Sequence, residues 1–363
     1  MRFSTKITSG IILIFMIVIG CLTFFGNHGE AEFPEVNSDS LYSGEFGSGL
    51  MKYTADCFAG RDILNGIGAE INARIGEPVV NGVYVSDERL LAVGSSDTGN
   101  MEKSAENVNR FAETYDGAVY FAAVPTSTGI YGDILPSYMI ASSEKQQADV
   151  LYSLLSTDIR RIDAYSILKM LSDNYIYYKS DTKWTSYGAY CVYRTVIQKL
   201  GFMPVPYDRY TVCHVTDEYF GNLSSQTGFT GEMSDILDIY ECEDGADITE
   251  CIGYDELGIK TKTHIYETEK VETEDKYELY FGDPKPLVKI KTNINNNRKL
   301  LVIGDEFANC FIPFLTEHYS EIAFISVNST DKSIDELIDT NEYEQTLFLL
   351  GMDSLSKNIL EKI

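Results

Sequence analysis

Lys299-Leu300-Leu301-Val302-Ile303-Gly304-Asp305-Glu306-Phe307-Ala308-Asn309 is the stretch whose reading decides the fold. Five residues of almost unbroken apolar character stop at Gly304, a short acidic loop follows, and Phe307 opens a helical pattern running to about residue 319. An apolar run of this length that ends in a turn reads as a strand buried on both faces. The same alternation continues downstream, with a strand predicted over 322–327, a helix over 334–338 and a strand over 346–350. Upstream, 100–115 reads as a helix and 118–124 as a second buried strand ending at Pro125. Ser142 or Ser143 is placed to cap a helix through Val150, Leu151, Leu154 and Leu155. A short extended piece at 176–178 leads through Ser180-Asp181-Thr182-Lys183-Trp184 into a helix over about 185–200, stopped by Gly201. Strands alternating with helices imply an α/β protein with a mostly parallel sheet covered on both faces. Sites in such sheets form at the carboxyl ends of the strands, where the loops 181–184 and 304–306 lie.

The composition narrows the function. The chain has 363 residues with 55 Asp and Glu against 29 Lys and Arg, a net charge of −26. Nucleic-acid binding draws its affinity from clustered basic residues, so this balance excludes nucleic acid as a general partner. Hydrophobic residues at 44% supply a sizeable core, which a disordered chain lacks. Residues 232–285 hold 17 acidic and 5 basic residues in short β-like pieces such as 264–266 and 277–281. They read as a solvated, hairpin-rich insertion, its limits set at about 204–297. No internal repeat is evident.

At the N-terminus, Arg2 and Lys6 precede an uncharged run over residues 7–25, and Glu30, Glu32, Glu35 and Asp39 follow it. The run is long enough to span a membrane as a single helix, and the charge asymmetry puts the body outside the cytoplasm. Residues 1–26 are thus expected to be a membrane anchor, 27–45 a tether, and 46–363 the extracytoplasmic domain. Val18-Ile19-Gly20-Cys21 also fits a bacterial lipobox, which makes Cys21 a lipidation site in the alternative reading. The remaining cysteines, Cys57, Cys191, Cys213, Cys242, Cys251 and Cys310, form no CxxC pair and no Cys/His cluster, so neither a metal nor another cofactor is expected. Cys191 and Cys310 read as small buried hydrophobes. Cys242 and Cys251 bracket an acidic loop and could pair in an oxidising compartment, a question the sequence leaves open.

Residues 299–309 resemble the Gly-Asp-Ser-Phe/Tyr-Ala-Asn segment of the SGNH hydrolase superfamily, with Glu306 where the nucleophilic serine belongs. Tyr178-Lys179-Ser180-Asp181-Thr182-Lys183-Trp184-Thr185-Ser186-Tyr187-Gly188-Ala189-Tyr190 is similar to the signature of the bacterial DHHW family, named for Asp-His-His-Trp. That family resembles the alginate O-acetylation proteins, whose Asp-x-His-Trp motif supplies Asp and His to a triad completed by a later serine. Phe58-Ala59-Gly60-Arg61-Asp62, Asn81-Gly82-Val83-Tyr84-Val85, Tyr219-Phe220-Gly221-Asn222-Leu223 and the run 313–322 also look like family segments. The resemblance covers roughly residues 50–350 and implies a three-layer SGNH-hydrolase-like fold.

Carried over residue by residue, the acid falls on Asp181, the histidine on Lys183 and the serine on Glu306. Acyl transfer by this route needs a hydroxyl and a base that is neutral near pH 7, which histidine at about 6.5 provides. Lysine at about 10.4 is protonated, and neighbouring carboxylates favour that form. The two replacements are complementary in charge, so Lys183 and Glu306 are expected to meet as an ion pair with Asp181 on the far side of the ammonium. These positions are read as a degenerate triad in a catalytically silent pseudoenzyme, with Trp184, Asp305 and Asn309 around the former pocket. Asp305 and Asn309 are suited to capping the helix at Phe307, Trp184 to anchoring the core, and His318 to packing. His28, His214 and His264 read as solvated, and no base is predicted beside Ser224 or Ser225. The resemblance implies a binding or scaffolding role in cell-envelope or exopolysaccharide modification, with an envelope polysaccharide and an integral-membrane acyltransferase as partners. An active carbohydrate O-acetyltransferase or esterase and a ligand-free structural envelope protein are the rival readings.

Overall fold

The computed structural model describes residues 46, 53, 68, 78–94, 98–137, 139, 143–229, 233–357 and 359–362. The segments 7–25 and 27–45, Cys21, Cys57 and residues 58–62 lie outside them. Among the described residues no helix is long and apolar enough to cross a membrane. The chain divides into two units, Met1–Asn81 with Ser224–Gly231, and Gly82–Leu223 with Glu232–Ile363. In the smaller unit the Asn81 amide donates to the Gln226 carbonyl at 2.7 Å, and the Thr227 hydroxyl donates to the Ser224 carbonyl at 3.1 Å.

The larger unit is built on eight strands: β1 (Ala118–Val124), β2 (Arg160–Ile162), β3 (Ile248–Tyr254), β4 (Lys260–Lys262), β5 (Leu287–Thr292), β6 (Lys299–Gly304), β7 (Glu321–Ser326) and β8 (Gln345–Gly351). Their order across the sheet is β2-β1-β8-β6-β7-β5-β3-β4. The pairings from β2 through β7 are parallel, whereas β5, β3 and β4 add on antiparallel. The parallel strands are apolar on both sides because both sides are covered. Tyr120, Val302 and Leu347 face one core with Trp184 and Val192, while Phe121, Leu301 and Phe348 face the other. Helices α1 (Thr98–Thr114) and α2 (Glu144–Leu154) bring Met101, Val108 and Leu151 to the second core. Helix α3 (Ser186–Lys199) covers the first. The result is a three-layer mixed α/β unit.

Three expectations need correction. The acidic stretch is not wholly an excursion, since β3, β4 and β5 extend the central sheet. Outside them, 210–219 and 235–242 do form a separate antiparallel hairpin. The pieces near 266 and 280 are mainly 3-10 turns joined by a single bridge, Tyr266 to Tyr280. The helix expected over 307–319 is broken into a 3-10 turn at Glu306–Ala308 and a short helix at Ile312–Leu315. Pro313 explains the break, because it has no N–H and is tolerated only in a first turn, the place it takes here. On the point the sequence left open, Cys242 and Cys251 are free thiols. The Cys242 sulfur is turned to the Glu243 carbonyl at 3.7 Å, and Cys251 is buried in β3.

Candidate functional site

Both loops singled out in the sequence lie at one end of α3 and the parallel strands, and their placement follows from local chemistry. Tyr177 and Trp184 form an isolated antiparallel bridge that folds 178–183 into a tight loop. The Thr185 hydroxyl then caps α3 by accepting from Gly188 N at 3.2 Å. A Cβ at Gly188 would stand 2.3 Å from the Ile176 carbonyl oxygen, so only glycine lets the helix start this close to the preceding chain. The second loop begins where β6 ends. Asp305 turns the chain, one carboxylate oxygen accepting from Phe307 N at 3.0 Å and the other from Gly351 N, at the end of β8, at 2.7 Å.

The two loops meet, although their residues are 123 apart in sequence. The Lys183 ammonium lies 3.0 Å from Asp181 Oδ2 and 3.3 Å from Glu306 Oε2, over the Tyr277 ring at 4.8 Å. The Trp184 indole N–H donates to the Phe307 carbonyl at 2.9 Å, and its ring stacks on Phe311. The Tyr277 hydroxyl donates to the Glu306 carbonyl at 3.2 Å. Trp184 of one loop thus satisfies a backbone carbonyl of the other, and Tyr277, on the 3-10 turn Lys276–Leu279, satisfies a second.

Asp181 is fully buried, and every side of its carboxylate is used. Oδ2 accepts from the Tyr219 hydroxyl at 2.5 Å and from Asn222 N at 3.3 Å, while Oδ1 accepts from Lys183 N at 3.1 Å. Gly221 makes this approach feasible, because a Cβ there would sit 2.4 Å from Asp181 Cβ. Burial alone would raise the Asp181 pKa, but the Lys183 charge and the Tyr219 hydrogen bond outweigh it and hold the group below the usual carboxylate range. For Lys183 burial opposes the charge, and Asp181 followed by Glu306 reverses the sign, keeping it above the usual lysine value. As built, one permanent cation sits between a buried carboxylate and an exposed one.

A second buried carboxylate supports the same loop from beneath. Asp235 accepts from Lys179 N at 2.8 Å, Ser180 N at 2.9 Å, the Ser180 hydroxyl at 2.6 Å and the Tyr175 hydroxyl at 2.5 Å. The sequence reading missed its role, and those of Tyr219, Gly221, Asn222 and Tyr277. Tyr219, Gly221 and Asn222 stood in a segment quoted for its resemblance, and Asp235 was one acid among seventeen. Of the residues expected around a pocket, Trp184 and Asp305 are buried and structural. Asn309 is half-buried, its N–H donating to the Glu306 carbonyl at 3.2 Å as the turn closes. Burial, with Asp353 alongside, pushes the Asp305 carboxyl up to about 7. His318 packs on Tyr193 with Nε2 2.6 Å from its hydroxyl, and burial brings its pKa down to about 4. Cys310 is buried, and burial pushes its thiol up to about 12.

Comparison with known proteins agrees with this architecture. A crystal structure of a DHHW family protein from Eubacterium siraeum DSM 15702 matches with a TM-score of 0.66 at 20% identity, over 78% of this chain and 97% of that one. Bacillus cereus PatB1 matches with a TM-score of 0.66 at 21% identity, over 77% of this chain and 99% of that one. The O-acetyltransferase domain of Pseudomonas putida AlgJ is more distant, at a TM-score of 0.46 and 10% identity over 76% and 92%, and carries no argument. No curated protein matches the chain. The family model described as DHHW protein matches residues 64–325, well over half of the sequence, and the chain therefore belongs to the DHHW family.

Proposed function

We propose that this chain is a catalytically silent DHHW protein of SGNH-hydrolase-like type. In this reading residues 1–26 anchor it in the cell membrane, its body is extracytoplasmic, and it serves as a binding or scaffolding partner in cell-envelope or exopolysaccharide modification. One observation carries the silent part. The ammonium of Lys183 is shared between Asp181 and Glu306 at 3.0 and 3.3 Å, at the positions where the resemblance puts a histidine and a serine. A proton-accepting base must have a free lone pair, and this lysine is held protonated by its neighbours. A carboxylate in the nucleophile's place supplies no alkoxide. The ion pair balances charge where the two loops meet, without chemistry. The partner implied by resemblance is an integral-membrane acyltransferase, and the implied ligand is an envelope polysaccharide.

Bacillus cereus PatB1 has also been solved with a sulfonyl adduct, which favours a second reading in which this chain too carries a reactive group. Two measurements separate the readings. The purified chain is expected to release no p-nitrophenol from p-nitrophenyl acetate above the buffer rate, and to gain no mass on incubation with phenylmethylsulfonyl fluoride. Turnover that disappears in Lys183→Ala or Glu306→Ala would overturn the silent reading. Esterase activity gained in the double variant Lys183→His, Glu306→Ser would support descent from an enzyme.

A further inference from the structure

The antiparallel end of the sheet carries an arrangement of cations that the rest of the molecule does not explain. Residues that face each other across antiparallel strands share a face of the sheet. Lys262, Ile252 and Lys289 form one such row across β4, β3 and β5, and Lys260, Tyr254 and Leu287 form the next. Lys291 opposite Glu250 completes the patch. Four lysines thus lie on one face around Tyr254, with Lys260, Lys262 and Lys291 exposed and Lys289 and Tyr254 half-buried.

Among the described residues of these strands and β7, two carboxylates share this face, and both are occupied. Glu250 pairs with Lys291 at 2.6 Å, while Glu321 accepts from the Tyr343 hydroxyl at 2.9 Å and lies 3.6 Å from Lys299. Asp255, at the turn between β3 and β4, is folded back onto Leu257 N at 2.9 Å and Ile259 N at 2.8 Å. Among the described residues no carboxylate lies within ion-pair distance of Lys260, Lys262 or Lys289, and Lys260 acts on Glu250 only from further off. In a chain of net charge −26, three unpaired lysines side by side are unexpected. Edge lysines that discourage strand-to-strand association account for Lys260 and Lys262 on the terminal strand β4. They do not account for Lys289, which is two strands further in. Strands lie about 4.8 Å apart and alternate residues about 6.8 Å apart, so neighbouring lysines of this patch are attached at points roughly 7–10 Å apart.

We propose that this face docks a linear acidic polysaccharide, its carboxylates set against Lys260, Lys262 and Lys289 and a sugar ring laid on Tyr254. A thin polymer engages the patch within a Debye length of about 8 Å and avoids most of the acidic body. An anionic membrane plane meets the whole negative surface, which makes it the poorer occupant. The Lys260 ammonium, 5.7 Å over the Tyr254 ring, joins cation and aromatic platform in one subsite. The proposal rests on the reading above only for its envelope context and is independent of whether the Lys183 site is silent.

The test uses the full chain in neutral nanodiscs and fluorescein-labelled polygalacturonate, read by anisotropy at 0.15 M salt. Saturable binding is expected, with none to neutral dextran. Exposed single charges are modest contributors, so Lys260→Ala, Lys262→Ala and Lys289→Ala together should weaken binding about tenfold or more with the melting temperature unchanged. A charge-matched control, Lys103→Ala, Lys145→Ala and Lys199→Ala, should leave it intact. Absence of binding by the native chain, equal loss in both triple variants, or no loss in the first would each overturn the proposal. Lysine-dependent capture of phosphatidylglycerol nanodiscs without polygalacturonate binding would assign the face to lipid instead. The esterase measurement decides the silent site separately.

Discussion

The two loops that meet at Lys183 are held very differently. On one side Asp181 is fully buried, bonded by Tyr219 and Asn222 N, and underpinned by Asp235 and its four donors. On the other, the Glu306 side chain is 53% exposed and touches the cation through one oxygen, although its backbone is fixed by Asp305 and Tyr277. The same ammonium therefore has one structural partner and one adjustable partner. This asymmetry teaches that the site's architecture belongs to the Asp181 arm, and that Glu306 neutralises what that arm presents without supporting it.

The sharpest way to break this comparison is Asp181→Ala. It strips the buried ammonium of its close partner and leaves the Tyr219 hydroxyl with no acceptor. Removing one member of a buried ion pair costs about 3–5 kcal/mol, and urea unfolding should show a loss of that order. A loss below 1 kcal/mol would mean that the arm is not structural.

The second contrast is between the charged carboxylate Asp181 and the neutral ones that surround the same end of the sheet. Burial raises Asp305 to about 7, and burial likewise raises Glu144 to about 7 despite its bonds from Thr126. Their folded pKa values exceed the unfolded values near 4, so between about pH 4.5 and 6.5 the native state holds two protons that the unfolded state has lost. His318, lowered by burial to about 4, is neutral in the native state while the unfolded histidine is charged, which subtracts one. Over these three groups the net uptake is one proton, which contributes a rise in stability on acidification of about 1.4 kcal/mol per pH unit in that window, and the upward shifts of Asp353 and Asp235 by burial act in the same direction. Melting temperatures at pH 5 and 7 check the sign, and Asp305→Asn should flatten the slope. A chain more stable at pH 7 than at pH 5 would contradict the assignment.

Gly221→Ala probes the packing behind the rigid arm. Its new Cβ would stand 2.4 Å from Asp181 Cβ, a contact between two short, fixed groups that only a backbone shift relieves. Overpacking of this kind costs about 1–3 kcal/mol, and denaturant unfolding should register it.

The legibility of the molecule follows the same division. Strands β1, β6 and β8 were readable because apolar faces on both sides leave one interpretation. Strands β3 to β5 were not, since one face meets solvent and their alternation was submerged in acidic sequence. The 307–319 helix failed at Pro313, where local pattern yielded to a missing N–H. Asp181, Lys183 and Glu306 could be brought together from the sequence through the two motifs they occupy. Tyr219 stood in a family-like segment that named no partner, and Asp235 in none; at 38 and 55 residues from the groups they bind, neither contact leaves a periodicity to read.

Glu306→Ala is the smallest effect and the most discriminating. Glu306 is half exposed, and its contact with Lys183 at 3.3 Å is screened by water, so deletion should cost less than about 1 kcal/mol, against several for Asp181→Ala. The ammonium keeps Asp181 at 3.0 Å, Trp184 still ties the loops through the Phe307 carbonyl, and Tyr277 still holds the Glu306 carbonyl, both of which the substitution leaves in place. The ratio of the two losses is the measure of asymmetry. If Glu306→Ala destabilised the fold as much as Asp181→Ala, the carboxylate would be a second structural support, and the ion pair would have to be read as one indivisible unit.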